Sequence, residues 1–402
     1  MRPVAVTGMG VVSPIGSSLA SYAGSLFAGR SGAGPVTVFD PADLPTQIAA
    51  EVKERFDGAG LADRKIAFAL EASRQAFEAA GRPDGRGAGL ALGVGLEVFR
   101  MDDMAAYRTS GGALPEELGA RLGFLQTPSD VCVHLIARRF GLDRPPVTLI
   151  SACAAGTDAI GVAARLVATG RRRWMLAGGT DSMVNPLGMG GFCKIGAMST
   201  RNDEPGRASR PFDAARDGFV LGEGAAVLVL ETLDDAAARG AHVHALVLGY
   251  GSSFDAHGIA EPHPEGRGAW QAMTRALADA GLSPGDVDAV NAHGTSTPKN
   301  DVVETLALKR LLGERAGCVP VVSTKSMIGH CISAAGALEA VAAIVCLEAQ
   351  RLHPTINLDD PDPECDLDHV PAAARDHAHR VVLSNSFGFG GQNASIVLAR
   401  PD

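Results

Sequence analysis

Short apolar runs rich in Val, Ile and Leu alternate along the chain with longer Ala-rich segments of helical period. The runs predict strands near 4–7, 147–150, 175–177, 225–230, 245–248, 321–323, 381–383 and 395–398. The Ala-rich segments predict helices near 64–80, 156–169, 270–280, 302–312 and 335–350. Strands that are apolar throughout must be covered on both faces, so the expected class is α/β with sheets between helical layers. Apolar residues are 46% and charged residues 20%, enough for a large core and incompatible with a disordered chain. Forty-nine glycines without a fixed period exclude collagen. A net charge of −9 and only 5% aromatics argue against a nucleic-acid groove.

Seven cysteines, with no CxxC, do not form a disulfide framework. The opening Met1-Arg2-Pro3-Val4-Ala5-Val6-Thr7-Gly8 lacks the apolar run of a signal peptide, and no stretch was read as approaching a membrane span. The expectation is a reduced, cytoplasmic setting without a membrane partner. The opening also has an echo: Val4-Ala5-Val6-Thr7-Gly8-Met9-Gly10 resembles Leu246-Val247-Leu248-Gly249-Tyr250-Gly251. Two related halves are therefore expected, 1–240 and 241–402, with the boundary in the Ala- and Asp-rich segment 232–240 and a site between them. The acidic run 359–368 reads as a solvated, Pro-interrupted loop rather than a metal site.

Four places could carry chemistry. Cys153 ends a strand and opens a small-residue helix, where N–H groups and the helix dipole favour thiolate; a buried cysteine acting as a small hydrophobe is the alternative. His293 lies in Asn291-Ala292-His293-Gly294-Thr295-Ser296-Thr297, either a site residue or a histidine satisfied by its own turn. His330 follows Lys325 by five residues after another strand; the lysine alone would read as surface charge. The run Asn385-Ser386-Phe387-Gly388-Phe389-Gly390-Gly391-Gln392-Asn393 reads as an oxyanion-binding turn, or more weakly as a phosphate loop. His257 and His263 lie in a Pro- and Gly-rich loop and read as solvated or structural. All four places follow predicted strands, where open α/β sheets hold ligands.

With these blocks in order, and with Ser199-Thr200-Arg201-Asn202-Asp203 and Arg210-Pro211-Phe212-Asp213 between them, the whole chain resembles the β-ketoacyl-acyl carrier protein synthases, elongating condensing enzymes of the thiolase superfamily. The resemblance implies a duplicated five-layered αβαβα fold. It implies that Cys153 takes an acyl group from acyl carrier protein. His293 and His330, as neutral N–H donors, would stabilise the enolate left when a malonyl thioester loses CO2. It further assigns Cys153 and Phe389 backbone N–H groups to an oxyanion hole, Lys325 with Glu339 to holding the His330 region, Thr295 and Thr297 to a phosphopantetheine tunnel, and Phe387 and Phe389 to a gating turn. No metal or resident cofactor is implied, since phosphopantetheine arrives on the carrier.

A homodimer, or a heterodimer with a chain-length-factor-like subunit, is expected, in fatty-acid or specialised polyketide synthesis. Because carriers are acidic, Arg64, Lys65, Arg201 and Arg207 are expected to form a local basic face. A non-catalytic partner subunit would lack Cys153. A thiolase would carry a second cysteine in the glycine turn, and a starter-type synthase would have asparagine at His330. The segment 95–130 departs from the family pattern, so chain-length preference does not transfer.

Overall fold

The computed structural model describes residues 2–113 and 126–401; part of the divergent 95–130 segment lies outside them. Ten strands form the main sheet: β1 (Val4–Val12), β2 (Gly89–Val94), β3 (Val147–Leu149), β4 (Trp174–Ser182), β5 (Glu223–Thr232), β6 (Ala245–Phe254), β7 (Ala289–Asn291), β8 (Val321–Val322), β9 (Val381–Phe387) and β10 (Gln392–Ala399). Their order is β8-β7-β9-β10-β6-β1-β5-β4-β2-β3. Read outward from the antiparallel β1–β6 pairing, the two sides repeat one another. Each has two antiparallel joins followed by two parallel ones.

The helices repeat in the same way. Those used below are α1 (Arg64–Ala79), α2 (Val131–Arg139), α3 (Ala155–Ala168), α4 (Arg267–Ala280), α5 (Pro298–Leu312) and α6 (Ala335–Ala349). Helices α3 and α6 pack together between the two half-sheets, α1 and α2 cover one outer face, and α4 and α5 the other. This is the five-layered arrangement. The sequence echo has a steric cause: Gly8 and Gly10 of β1 lie against the α1 backbone at Ala76 and Ala72, and Gly249 and Gly251 of β6 lie against α4 at Ala276 and Ala272. A side chain at any of the four would hold its helix off the sheet.

The segment Ile332–Ala349 is long and apolar enough to cross a membrane, contrary to the sequence reading that none is. Its window is 89% buried inside the protein, so its apolarity follows from its place between two sheets. The acidic segment 359–368 differs from expectation only in part. It lies largely in solvent, as expected, but it is also clamped: Asp359 pairs with Arg207 and Arg210, Asp362 with Arg216, and Asp368 with Arg375.

Candidate active site

Helices α3 and α6 point their N-termini toward one cavity, and each is entered through a 3-10 turn, Ala152–Ala154 and Ile332–Ala334. Both turns hold a non-glycine residue at positive φ, Ala152 at 48° and Ile332 at 42°. Such backbone is costly for L-residues, most of all for a β-branched one, and survives only where packing over-determines it. In the first turn it presents Cys153 to the cavity.

Cys153 Sγ lies 3.0 Å from His330 Nε2, and Phe389 and Cys153 backbone N–H groups also aim at the sulfur. His330 Nδ1 accepts a hydrogen bond from the Ile332 N–H at 3.3 Å. That leaves Nε2 to carry the ring proton toward the cavity. His293 is oriented alike: Lys325 Nζ donates to its Nδ1 at 3.1 Å and to its carbonyl at 2.7 Å, so its Nε2 is the protonated nitrogen. The two rings stand edge-to-face at 5.3 Å, and donor atoms of Cys153, His293 and His330 lie within 4.8 Å of one another. More than 130 residues of chain separate Cys153 from either ring, yet the fold brings the three together.

Burial, then the Lys325 charge, holds both imidazoles well below their usual pKa, so both are neutral at pH 7. Burial pushes the Cys153 thiol up to about 11, against the pull of the Phe389 N–H and Lys325. Desolvation thus opposes the thiolate that the helix start and the donors around the sulfur favour. Lys325 is buried and ion-paired to Glu339. Its hydrogen bonds fall on His293, while its charge reaches His330, the electrostatic influence the resemblance implies.

Thr295, Thr297, Phe387 and Phe389 line the same cavity, of about 320 Å³, and the Thr295 and Thr297 hydroxyls are 2.9 Å apart. The Phe387 ring sits 5.9 Å from His293, and the Phe389 ring lies tilted against Phe192 and Phe219 at 6.1 and 6.4 Å. The glycine turn has φ of 81° at Gly390 and 78° at Gly391, and a Cβ on Gly388 would stand 3.3 Å from the Cys153 nitrogen. His257 is exposed and His263 half-buried, 5.3 Å apart ring to ring, outside the lining.

Two carboxylates went unnoticed in the sequence. Glu304 accepts the N–H groups of His293 and Gly294, both at 2.8 Å, and Asp301 accepts those of Thr295, Ser296 and Phe212. Both lie on α5 three residues apart, indistinguishable by pattern from any helix start. The basic face fares less well. Lys65 is 1% exposed and paired with Asp63, and Arg64 is spent on the buried Glu223 carboxylate and the Val52 carbonyl. Both residues sit at the start of α1; the burial of Lys65 corrects its assignment to a carrier surface, whereas Arg64 keeps 31% of its side chain in solvent. Arg201 donates to the Ala215 carbonyl and Arg207 pairs with Asp359, both with part of the side chain in solvent.

Comparison with known proteins bears on family and fold. Residues 1–236 match the Beta-ketoacyl synthase N-terminal domain and residues 244–359 its C-terminal domain. The chain is 42% identical over 413 residues to a 3-oxoacyl-[acyl-carrier-protein] synthase 2 of Coxiella burnetii, covering 99% of each. It is 38% identical over 417 residues to the tetracenomycin polyketide synthase ketoacyl synthase alpha subunit of Streptomyces glaucescens, covering 100% of this chain and 97% of the other. Among solved structures, a β-ketoacyl synthase from Burkholderia phymatum superposes with a TM-score of 0.90 at 35% identity, and a type II polyketide ketosynthase in complex with its acyl carrier protein with 0.89 at 32%; each covers 100% of both chains.

Proposed function

The chain belongs to the β-ketoacyl synthase family, and on that premise we propose that Cys153, His293 and His330 carry its reaction. It is an acyltransferase that condenses an acyl group with malonyl-acyl carrier protein, in fatty-acid or polyketide synthesis. The observation that carries the residue assignment is the convergence of one sulfur and two outward-facing Nε2–H groups in a single cavity.

In the first half-reaction Cys153 Sγ attacks the carbonyl of the carrier-bound acyl thioester. The carbonyl oxygen takes up negative charge between the Cys153 and Phe389 N–H groups. The tetrahedral intermediate expels the pantetheine sulfur, and the proton that was on Cys153 ends on that sulfur. The free carrier leaves, and malonyl carrier takes its place. Its carbonyl oxygen accepts N–H bonds from His293 and His330. The malonyl C–C bond breaks, its electrons form the enolate, and CO2 departs. The enolate carbon then attacks the acyl-Cys153 carbonyl, the C–S bond breaks to leave the Cys153 thiolate, and the β-ketoacyl product stays on the carrier while the thiolate takes up one proton from solvent. Neutral imidazoles suit this step because they can donate without protonating the enolate carbon. Lys325, Glu339 and Glu304 act as positioning residues, holding the His293 ring and turn.

The chemistry calls for no metal or resident cofactor, and the pantetheine arm passing Thr295 and Thr297 is supplied by the carrier. Arg64, Arg201 and Arg207 are the remaining candidates for carrier contact. A dimer, either of identical chains or with a chain-length-factor-like partner, is supported by the open sheet edge at β3. A cytoplasmic location fits the seven free cysteines. The test of the nucleophile is Cys153→Ala with acyl and malonyl carrier substrates. Acyl-enzyme and condensation should vanish while malonyl decarboxylation persists, since both imidazoles remain. Condensation by the variant would remove Cys153 from the mechanism.

A further inference from the structure

Far from the cavity, a second group of donor side chains converges on the surface. His242 and His244 alternate along the extended segment leading into β6, and Glu348 lies in the last turn of α6. His242 Nε2 is 3.3 Å, and His244 Nδ1 2.7 Å, from Glu348 Oε1. The two rings meet edge-to-face at 4.5 Å, and one donor atom from each residue lies within 4.8 Å of the other two. Glu348 lies 13 residues along α6 from Ala335, about 20 Å at 1.5 Å per residue, so this group is remote from the Cys153 end.

We propose that His242, His244 and Glu348 form a surface site for a transition-metal dication of the Zn2+ or Ni2+ type. Two imidazoles and one carboxylate match the ligand preference of such ions, whereas Mg2+ and Ca2+ favour oxygen alone. Tetrahedral coordination at about 2.0–2.1 Å places ligand atoms roughly 3.3 Å apart. The His242–Glu348 spacing already has that value, and the His244–Glu348 hydrogen bond must open from 2.7 Å by about 0.6 Å. His242 is 72% exposed and free to adjust, and water completes the shell. The carboxylate near a helix C-terminus adds a local field that favours a cation. The site has a structural consequence, because the His244 N–H is bonded to the Val6 carbonyl at 2.9 Å. A bound ion would tie the entry of β6, already fastened to β1, to the end of the core helix α6.

The experiment uses the full chain carrying Cys153→Ala, which removes the thiol from the one other donor trio found among the described residues. Calorimetric titration with Zn2+ should give one site, and Zn2+ should raise the melting temperature while Mg2+ does not. His242→Ala and Glu348→Gln, each compared with the same Cys153→Ala parent, should weaken Zn2+ binding at least about tenfold, since losing even an outer-sphere partner costs roughly 10–100-fold. Both positions are at least partly in solvent, so metal-free melting should barely change. Zn2+ isotherms unaltered by both substitutions, or a Mg2+ shift equal to that of Zn2+, would overturn the proposal.

Discussion

At Cys153 the competition between donors and desolvation has a measurable outcome. With its pKa pushed up to about 11, the thiol of the free protein is almost wholly protonated at pH 7. Alkylation of Cys153 by iodoacetamide, followed by mass spectrometry of its peptide, should therefore accelerate about tenfold per pH unit from 7 to 10. A plateau near pH 8 would mean that the N–H groups around the sulfur outweigh burial. The Lys325–Glu339 pair makes a second case. Lys325→Met would leave the Glu339 carboxylate buried without its cation, costing about 3–5 kcal/mol, and Lys325→Met with Glu339→Gln should recover much of that. Burial already raises the Glu339 pKa against the pull of Lys325, and losing the lysine raises it further. The folded state then prefers the protonated acid, so the loss measured by denaturation should be small at pH 5 and grow as pH rises; a loss independent of pH would contradict this account. The cysteine and the histidines were legible because each sits in a run of small residues after a strand. Glu304 and Asp301 were not, since nothing local shows which backbone N–H groups a helix carboxylate will meet. Lys65 was misread for the same reason: its Asp63 partner looks like surface charge until α1 turns both inward.

The glycine pairs of β1 and β6 carry the repeat at the level of elements. A Cβ on Gly10 would stand 1.9 Å from the Ala72 carbonyl oxygen, and one on Gly251 2.3 Å from that of Ala272. Gly10→Ala and Gly251→Ala should each destabilise by roughly 1–3 kcal/mol or more, because helix and strand must separate. Gly24, inside the helix Leu19–Phe27 with nothing within 4 Å, is the control: Gly24→Ala should stabilise by up to about 1 kcal/mol. Equal, small effects at all three sites in urea unfolding would show that close approach is not what the GxG pairs serve. Of the main strands, β2 is missing from the sequence reading. Its Gly-Leu-Ala-Leu-Gly-Val is poor in β-branched residues and is a strand because α2 and α3 cover it on two faces. Most of the other strands were placed correctly but cut short, as at β4, which ends in the polar Asp181 and Ser182, whereas the predicted 147–150 and 321–323 run one residue past β3 and β8.

Across the whole molecule the two halves part company at the ends of the sheet. The β8 end is closed: Val321 donates to the Asp368 carbonyl, and the ion-paired segment 359–368 lies alongside. Reading that segment as an unpaired loop hid this asymmetry, because three of the arginines that clamp it, Arg207, Arg210 and Arg216, come from the other half of the chain. Among the described residues nothing pairs with the outer edge of β3. Beside it stand Ile150 at 57% exposure, Leu96 at 61% and Leu187 at 50%, with Phe99 and Met101 close by in sequence to Leu96. An unpaired strand flanked by exposed large apolar side chains is an association surface unless something covers it. A second chain joined edge to edge there would continue the sheet and bury Ile150, three residues before Cys153. Light scattering should accordingly find twice the 41.3 kDa chain mass for the native protein. Ile150→Asp, which leaves the monomer's core untouched, should bring the mass to that of one chain at micromolar concentration. A native monomer, or a variant whose mass does not fall, would separate the β3 edge from assembly and leave those apolar side chains to some other partner.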